Sequence, residues 1–279
     1  MSNIIIRKYM PADENTLIEI TKNANQYYIN NFLGYNRDKI SVAEYENVLA
    51  GFLWLSIASG NCQAFIYIHP KYRRLGIGST LFTNAEKQCR DKNENVIWSM
   101  YYEYEKGKKF TDKLGAYYTT SSVYMEYAGS MLPENEKTKH IRKCGEDDFL
   151  CCSYLWDKGY YDMQVRIGNP DVKMREPTSE DKKNFIKNIT DSYAFEYNGH
   201  IIGYGVINGN NIGALAVDTQ INNQGYGTIL AKHMTNEILK CGYNAAYLWC
   251  ETENYNAYRV YQKIGYKDIA VAYTSFIKI

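Results

Sequence analysis

Ile68-His69-Pro70-Lys71-Tyr72-Arg73-Arg74-Leu75-Gly76-Ile77-Gly78 closes an alternating apolar run and opens an amphipathic one. Val217-Asp218-Thr219-Gln220-Ile221-Asn222-Asn223-Gln224-Gly225-Tyr226-Gly227 does the same in the second half of the 279-residue chain. Both stretches place Gly-x-Gly at the passage from strand to helix. Glycine lets the main chain come close to an anion there, and the unpaired N–H groups of the first helical turn point at it. A tight strand-to-helix turn uses the same glycines. What distinguishes this pair is its position, directly after the third strand of a meander in each half. Neither copy is Gly-x-Gly-x-x-Gly after a first strand, and neither carries the Lys-Ser/Thr of a P-loop. Dinucleotide and nucleoside-triphosphate readings are thereby excluded.

Outward from the loops, the two halves match element for element. In the second half, residues 193–197 alternate as a strand, and Asn198-Gly199 is a strong hairpin signal. Residues 200–207 return, 208–211 turn again, and 212–217 make the third strand. In the first half, residues 44–47 lead into 49–56, a Gly60-Asn61 turn and 62–68. The helices that follow carry Ile77, Leu81, Ala85 and Cys89, and Leu230, Met234 and Ile238, at helical spacing. Each half then has a strand (96–100; 245–250), a helix, a Leu114-Gly115-Ala116 or Ile264-Gly265-Tyr266 turn, and a last strand. Each also opens alike. A short strand (4–8; 140–143) precedes an acidic helix start, Asp13-Glu14 or Glu146-Asp147-Asp148, as suits the positive end of a helix. This order predicts an α/β (α+β) fold of two tandem domains, 1–130 and 139–279, joined by a linker over 130–138. Each domain is expected to be a mixed, mostly antiparallel sheet flanked by helices.

Composition narrows the function. The chain is 45 % hydrophobic and 23 % charged, so each half can bury a core. Lys plus Arg number 32 against 31 Asp plus Glu, a net charge of +1 that excludes a nucleic-acid clamp working by counterion release. No apolar run approaches the roughly 20 residues that span a bilayer, and the start alternates rather than forming a signal core. A cytoplasmic protein without membrane or nucleic-acid partners is expected. The seven cysteines (62, 89, 144, 151, 152, 241, 250) follow neither a disulfide nor a zinc pattern, so no metal is expected. The 28 tyrosines are spread along the chain and form no stacking motif.

The motif Ile68-His69-Pro70-x-x-Arg73-x-x-Gly76-Ile77-Gly78 resembles the acetyl-CoA diphosphate loop of the GNAT N-acetyltransferase superfamily, and the stretch from Val217 to Gly227 is a looser copy. Asn254-Tyr255-Asn256-Ala257-Tyr258-Arg259-Val260-Tyr261-Gln262-Lys263-Ile264-Gly265-Tyr266 is similar to that family's N-x-x-A-x-x-x-Y-x-x-x-G-F/Y signature. The resemblance covers nearly the whole chain as two tandem domains. It implies acetyl-CoA as the acyl donor and direct attack of a substrate amine on its thioester. In the first half it implies that Phe65, Ile66, Tyr67 and Ile68 splay from the neighbouring strand and offer main-chain N–H groups to the pantetheine. Arg73, Arg74, Leu75 and Gly76, with Ile77, Gly78 and Ser79 behind them, would then hold the diphosphate. In the second half Leu215, Ala216 and Val217 take the strand role. Asn222, Asn223, Gln224 and Gly225 form the loop, with Tyr226, Gly227 and Thr228 opening the helix. Asn254 and Ala257 would border the cofactor, Tyr261 would give a proton to the departing sulfur, and Glu251 would serve as base directly or through water.

The copies depart from the family pattern in opposite ways. The first keeps Pro70 and Arg73 but has Tyr104 for Asn254 and Thr111 for Tyr261; the second has Thr219 for Pro and Asn222 for Arg or Gln. A first half that binds CoA without a catalytic hydroxyl, and a catalytic second half, are therefore expected. Two alternatives stand beside this: a non-catalytic acyl-CoA-binding or sensing module, and catalysis in the first half with Tyr102 or Tyr104 as acid. Plainer roles are also open to each residue. Tyr261 and Tyr258 can pack a helix, Asn254 can cap one, and Glu251 and Glu253 can be solvated carboxylates. His233 reads as a partly buried structural side chain, His69 as positional, and Cys250 as a small core residue without a His partner. The acceptor determinants would lie in 23–39 and 158–178. Tyr160, Tyr161, Asp162 and Arg166 in the second segment suit a small polar or cationic acceptor, or else form a solvated loop. Family analogy favours a small-molecule amine, antibiotics among them, over protein. A monomer with pseudo-dimeric halves or a homodimer would serve equally.

Overall fold

A computed structural model describes residues 3–24, 26–33, 37–58, 61–169, 172–221 and 224–279. The chain forms two compact units, one of Met1–Thr120 with Ala272–Ile279 and one of Ser121–Val271.

The first unit runs β1 (Ile4–Lys8), α1 (Glu14–Thr21), α2 (Gln26–Leu33), β2 (Ile40–Tyr45), β3 (Val48–Ala58), β4 (Asn61–Ile68), α3 (Ile77–Arg90), β5 (Val96–Tyr101), α4 (Tyr104–Lys113) and the start of β6 (Ala116–Tyr127). Strands β1 to β4 form an antiparallel meander, and β5 joins β4 in parallel. The β2–β3 turn uses left-handed Glu46 (φ 49°) and Asn47 (φ 64°), a geometry matched to strand twist. Along β3 the side chains alternate between two cores. Leu53 and Leu55 pack with Leu81, Ala85 and Cys89 of α3. Phe52 and Trp54 pack with Leu17, Ile29 and Phe32 of α1 and α2. Helices therefore cover both faces of the sheet.

The second unit runs β7 (Ile141–Lys143), α5 (Phe149–Arg166), α6 (Ser179–Lys187), β8 (Ser192–Tyr197), β9 (His200–Asn208), β10 (Asn211–Val217), α7 (Tyr226–Lys240), β11 (Ala246–Glu251), α8 (Tyr255–Ile264) and the start of β12 (Lys267–Lys278). Strands β7 to β10 repeat the meander, β11 joins β10 in parallel, and the later part of β6 adds antiparallel to β11. Asn198 (φ 50°) and Gly199 (φ 76°) make the expected hairpin turn. Phe195 packs on Leu230 and Met234 of α7, while Ala194 packs with Phe149, Cys152 and Leu155 of α5. One ion-pair arrangement occurs in both units. Arg7 bonds Asp13 and Glu44, as Arg142 bonds Asp148 and Glu196.

The sequence-based domain limits differ from this division at two places. The first unit hands over at Thr120/Ser121 rather than at residue 130, and the final eight residues return to it. Residues 273–278 of β12 pair with β5, placing Ser275, Phe276 and Ile277 in the first unit's interior. The stretch expected as a free linker is also anchored. Buried Asn236 of α7 accepts from the Leu132 N–H at 2.8 Å and donates to its carbonyl at 2.9 Å. Among the described residues no helix is long and apolar enough to cross a membrane.

Candidate active site

The last meander strand, β4 or β10, loses its parallel partner before each glycine loop. The β4–β5 ladder runs from Cys62↔Ile97 to Phe65↔Met100 and stops there. Ile66, Tyr67 and Ile68 lie past its end while β3 still holds them extended, as Ile66↔Leu53, Tyr67↔Phe52 and Ile68↔Gly51. Phe65, expected in the splayed segment, is instead the last paired residue. Its ring stacks on Phe32 at 4.1 Å, so packing keeps it in the ladder. In the second unit β10 and β11 pair only as Asn211↔Tyr247 and Ile212↔Leu248. The β9–β10 register shifts between Ile212 and Ala214, and Leu215, Ala216 and Val217 continue beyond the parallel ladder. Strand edges without a parallel partner keep main-chain groups available to a ligand.

Each loop then delivers a left-handed glycine as the residue preceding its helix, Gly76 at φ 86° and Gly225 at φ 82°. The glycine carbonyl accepts the first intrahelical bond, from Thr80 at 3.0 Å and from Ile229 at 3.1 Å. The N–H groups of that first turn have no intrahelical partner. Ile77 and Tyr226 are buried, which seats both helix starts, and the Tyr226 ring packs on Phe195. A Cβ at Gly76 would meet only Ile4 Cδ1 at 3.9 Å, and one at Gly225 would meet nothing within 4 Å among the described residues. Open space beside the glycine, next to first-turn amides without intrahelical partners, suits a diphosphate. Gly227 and Gly78 follow inside the helices, with Thr228 and Ser79 half-buried beside them; Gln224 and Leu75 are exposed. Asn222 and Asn223 lie outside the described residues.

In the first unit the splay opens a cavity of about 450 Å³, bounded by Ile66, Tyr67 and Ile68, the glycine loop, the end of β5 and α4. That volume lies in the usual range for small-ligand sites. Arg73, Arg74, Lys106, Lys109 and Lys113 make its rim basic, as a polyanionic coenzyme would need. Arg73 bridges two sides of it, its Nε donating to the Ile68 carbonyl at 3.0 Å and its guanidinium pairing with Glu103 at 3.2 Å. Arg74 takes the left-handed φ of 67°, unusual for a residue with a side chain. Tyr104 is exposed and packs on Tyr273, and Tyr102 stacks on Phe65. Thr111 is buried, its hydroxyl donating to the Lys108 carbonyl at 3.1 Å.

In the second unit Tyr261 sits on α8 with 7 % of its surface exposed, edge-on to Tyr266 at 5.8 Å. Burial pushes its phenol far above the usual range, with the Cys250 and Tyr266 charges adding to the rise. Burial likewise pushes the Cys250 thiol up to about 12, which leaves it protonated and inert as the core residue expected. Asn254 does not cap α8 with its side chain; its Oδ1 accepts from Arg166 Nη2 at 2.9 Å. Arg166 ends α5, so residues 158–166 are helix rather than solvated loop. The same helix brings Asp162 to Thr219, whose Oγ1 donates to it at 3.2 Å, and pairs it with Lys158. Sequence spacing carries no signal for the Arg166–Asn254 and Thr219–Asp162 contacts. Ala257 is half-buried against the core, Glu251 ends β11 half-buried, and Glu253 is exposed. His233 lies within α7, its ring 5.4 Å from that of Tyr193, and burial lowers its pKa, which keeps it neutral and structural.

The acetyltransferase (GNAT) family profile matches residues 7–115 and again 156–266. No curated protein matches the chain in sequence. Solved structures do match in fold. A GCN5-related N-acetyltransferase from Sphaerobacter thermophilus is 16 % identical with a TM-score of 0.68, covering 99 % of this chain and 95 % of its own. A tandem GNAT protein from the clavulanic acid biosynthesis pathway is 13 % identical with a TM-score of 0.62, over 99 % and 98 %. A GNAT-family acetyltransferase from Colwellia psychrerythraea is 11 % identical with a TM-score of 0.54, over 98 % and 99 %. With parted strands and a left-handed glycine in each half, and the profile matched twice, this chain belongs to the GNAT acetyltransferase family as a tandem two-domain member.

Proposed function

We propose that the protein transfers the acetyl group of acetyl-CoA to a primary amine of a small molecule, by direct attack of the amine on the thioester, with Tyr261 as general acid. The observation that carries this reading is the repeated site geometry. In each half the last meander strand loses its parallel partner before a left-handed glycine that opens a helix. Acetyl-CoA, when bound, supplies an activated thioester carbonyl. The first-turn amides of α3 and α7 hold diphosphate, and the free edges of β4 and β10 hold the pantetheine chain and polarise the carbonyl. Tyr261 stays protonated at neutral pH and gives its proton to the leaving sulfur. Glu251, at the end of β11, takes the proton shed by the attacking amine, directly or through water. Arg166 holds Asn254 at the start of the helix that carries Tyr261.

The acceptor reaches the second site beside α5, whose Asp162 at the loop suits a polar or cationic amine, aminated antibiotics among them. All seven cysteines are free thiols, in keeping with a reducing cytoplasm. Calorimetry with CoA and free-thiol release from acetyl-CoA with a panel of amines test the reading. Heat of binding and amine-dependent thiol are expected; no heat on titration of CoA would overturn it.

A further inference from the structure

We infer that the first half is a second catalytic centre, in which the phenol of Tyr101 on β5 does the work that Tyr261 on α8 does in the second half. This rests on the acetyltransferase reading above and extends it. Thr111 stands at the α4 position matching Tyr261 and is too short to present a phenol. Tyr101 makes up for it from the strand. It is the last residue of β5, 8 % exposed, and lines the 450 Å³ cavity together with Ser99 and Thr111.

The Tyr101 hydroxyl lies 3.0 Å from Ser275 Oγ. Ser275, fully buried, is also 3.0 Å from Thr111 Oγ1 and 2.8 Å from Thr119 Oγ1. Hydroxyls from β5, α4, β6 and β12 thus meet behind the cavity wall that Tyr101 and Thr111 line. The ring has a place made for it. A Cβ on Gly107 would overlap Cδ2 and Cγ of Tyr101 and stand 2.8 Å from its Cβ. Glycine inside a helix is destabilising relative to alanine, and here the tyrosine ring accounts for it. Stacking on Tyr273 at 5.7 Å holds the other side of the ring.

The second half has the reciprocal set. Glu251 stands for Tyr101, Ala257 for Gly107 and Tyr261 for Thr111. The first half therefore carries its phenol on the strand, lining the cavity, where the second carries one on the helix, packed in its core. A glycine faces the strand tyrosine, and an alanine stands where no ring needs admission. The first half also keeps Arg73 in its loop, which the second lacks.

A phenol gives up its proton more readily than an aliphatic hydroxyl, so Tyr101 is the donor among the clustered hydroxyls. Ser275 and Thr111 are positioning residues that fix its hydroxyl. In the step, the amine lone pair forms the C–N bond to the acetyl carbon, and the C–S bond breaks with its electron pair on sulfur. The Tyr101 proton passes to sulfur, the nitrogen sheds its proton to water, and the phenolate is reprotonated from water. The products are an amide and a thiol.

The test uses the full chain with its second loop blocked by Gly225→Glu. CoA should still bind, and Tyr101→Phe should lower acetyl transfer about 10²-fold or more while changing CoA affinity less than about threefold. Independently of turnover, the thiol of bound CoA, followed by its ultraviolet thiolate absorbance, should ionise at lower pH than free CoA. Tyr101→Phe should abolish that shift; Gly107→Ala, which displaces the ring, should do the same; Ser275→Ala should reduce it. An unmoved thiol titration, or an unchanged rate in Tyr101→Phe, would overturn the second centre. If instead CoA binds neither loop of the unaltered chain, the acetyltransferase reading falls and this proposal with it. If CoA binds, Gly225→Glu abolishes turnover and Gly76→Glu leaves it whole, only the second centre falls.

Discussion

In the proposed reaction Tyr261 is the acid, and burial, which penalises its charged form, keeps it protonated at neutral pH. A raised pKa extends the active range upward. With the first loop blocked by Gly76→Glu, kcat should show no fall near the ordinary phenol value of about 10. A descending limb there in the pH profile would contradict the assignment. In the same background Tyr261→Phe should lower kcat by about 10²-fold or more and leave CoA affinity nearly unchanged, read by turnover and calorimetry side by side. A different residue governs acid stability. Hydrogen bonds from Arg7 at 2.7 Å hold the Asp13 carboxyl below its usual range, and the Met10 N–H at 2.8 Å adds to this. A depressed folded pKa contributes stability above the unfolded value of about 3.9 that is lost as pH falls through the folded one. Asp13→Asn should therefore cost about 1–3 kcal/mol at pH 7, and the difference from the parent should vanish in strong acid, as urea unfolding at several pH values would reveal.

At the level of elements, the loops work through glycine dihedrals. At Gly225 an added Cβ meets open space among the described residues, so Gly225→Ala tests left-handed strain without a clash. It should cost about 1–2 kcal/mol, visible as a lowered Tm. A glutamate at the same position adds like charge where diphosphate is to sit and should weaken CoA binding further. These elements are legible in the sequence itself. Gly76-x-Gly78 and Gly225-x-Gly227, the Asn198-Gly199 hairpin and the apolar spacing of α3 and α7 are local signals, because turn dihedrals and helical periodicity are set by a few consecutive residues. Residues 158–166 were less legible. Their tyrosines, acids and bases read equally as a wet loop, and only packing of α5 on β9 and β10 makes them helix.

At the scale of the molecule, the last strand belongs to the first unit. Deleting 272–279 removes buried Ser275, Phe276 and Ile277 from that unit and takes away β5's antiparallel partner. In a Gly225→Glu chain this deletion should abolish CoA binding at the first loop; retained binding by calorimetry would contradict it. Sequence alone determined the repeat, the order of elements, both glycine loops and the frame around Tyr261, since each is written in neighbouring residues. Tertiary structure decided the rest. Arg166 meets Asn254 across 88 positions, and Ser275 meets Thr111 across 164 and Tyr101 across 174. Such meetings leave no trace in spacing, because strand pairing and helix packing, rather than chain order, bring those side chains within hydrogen-bonding distance.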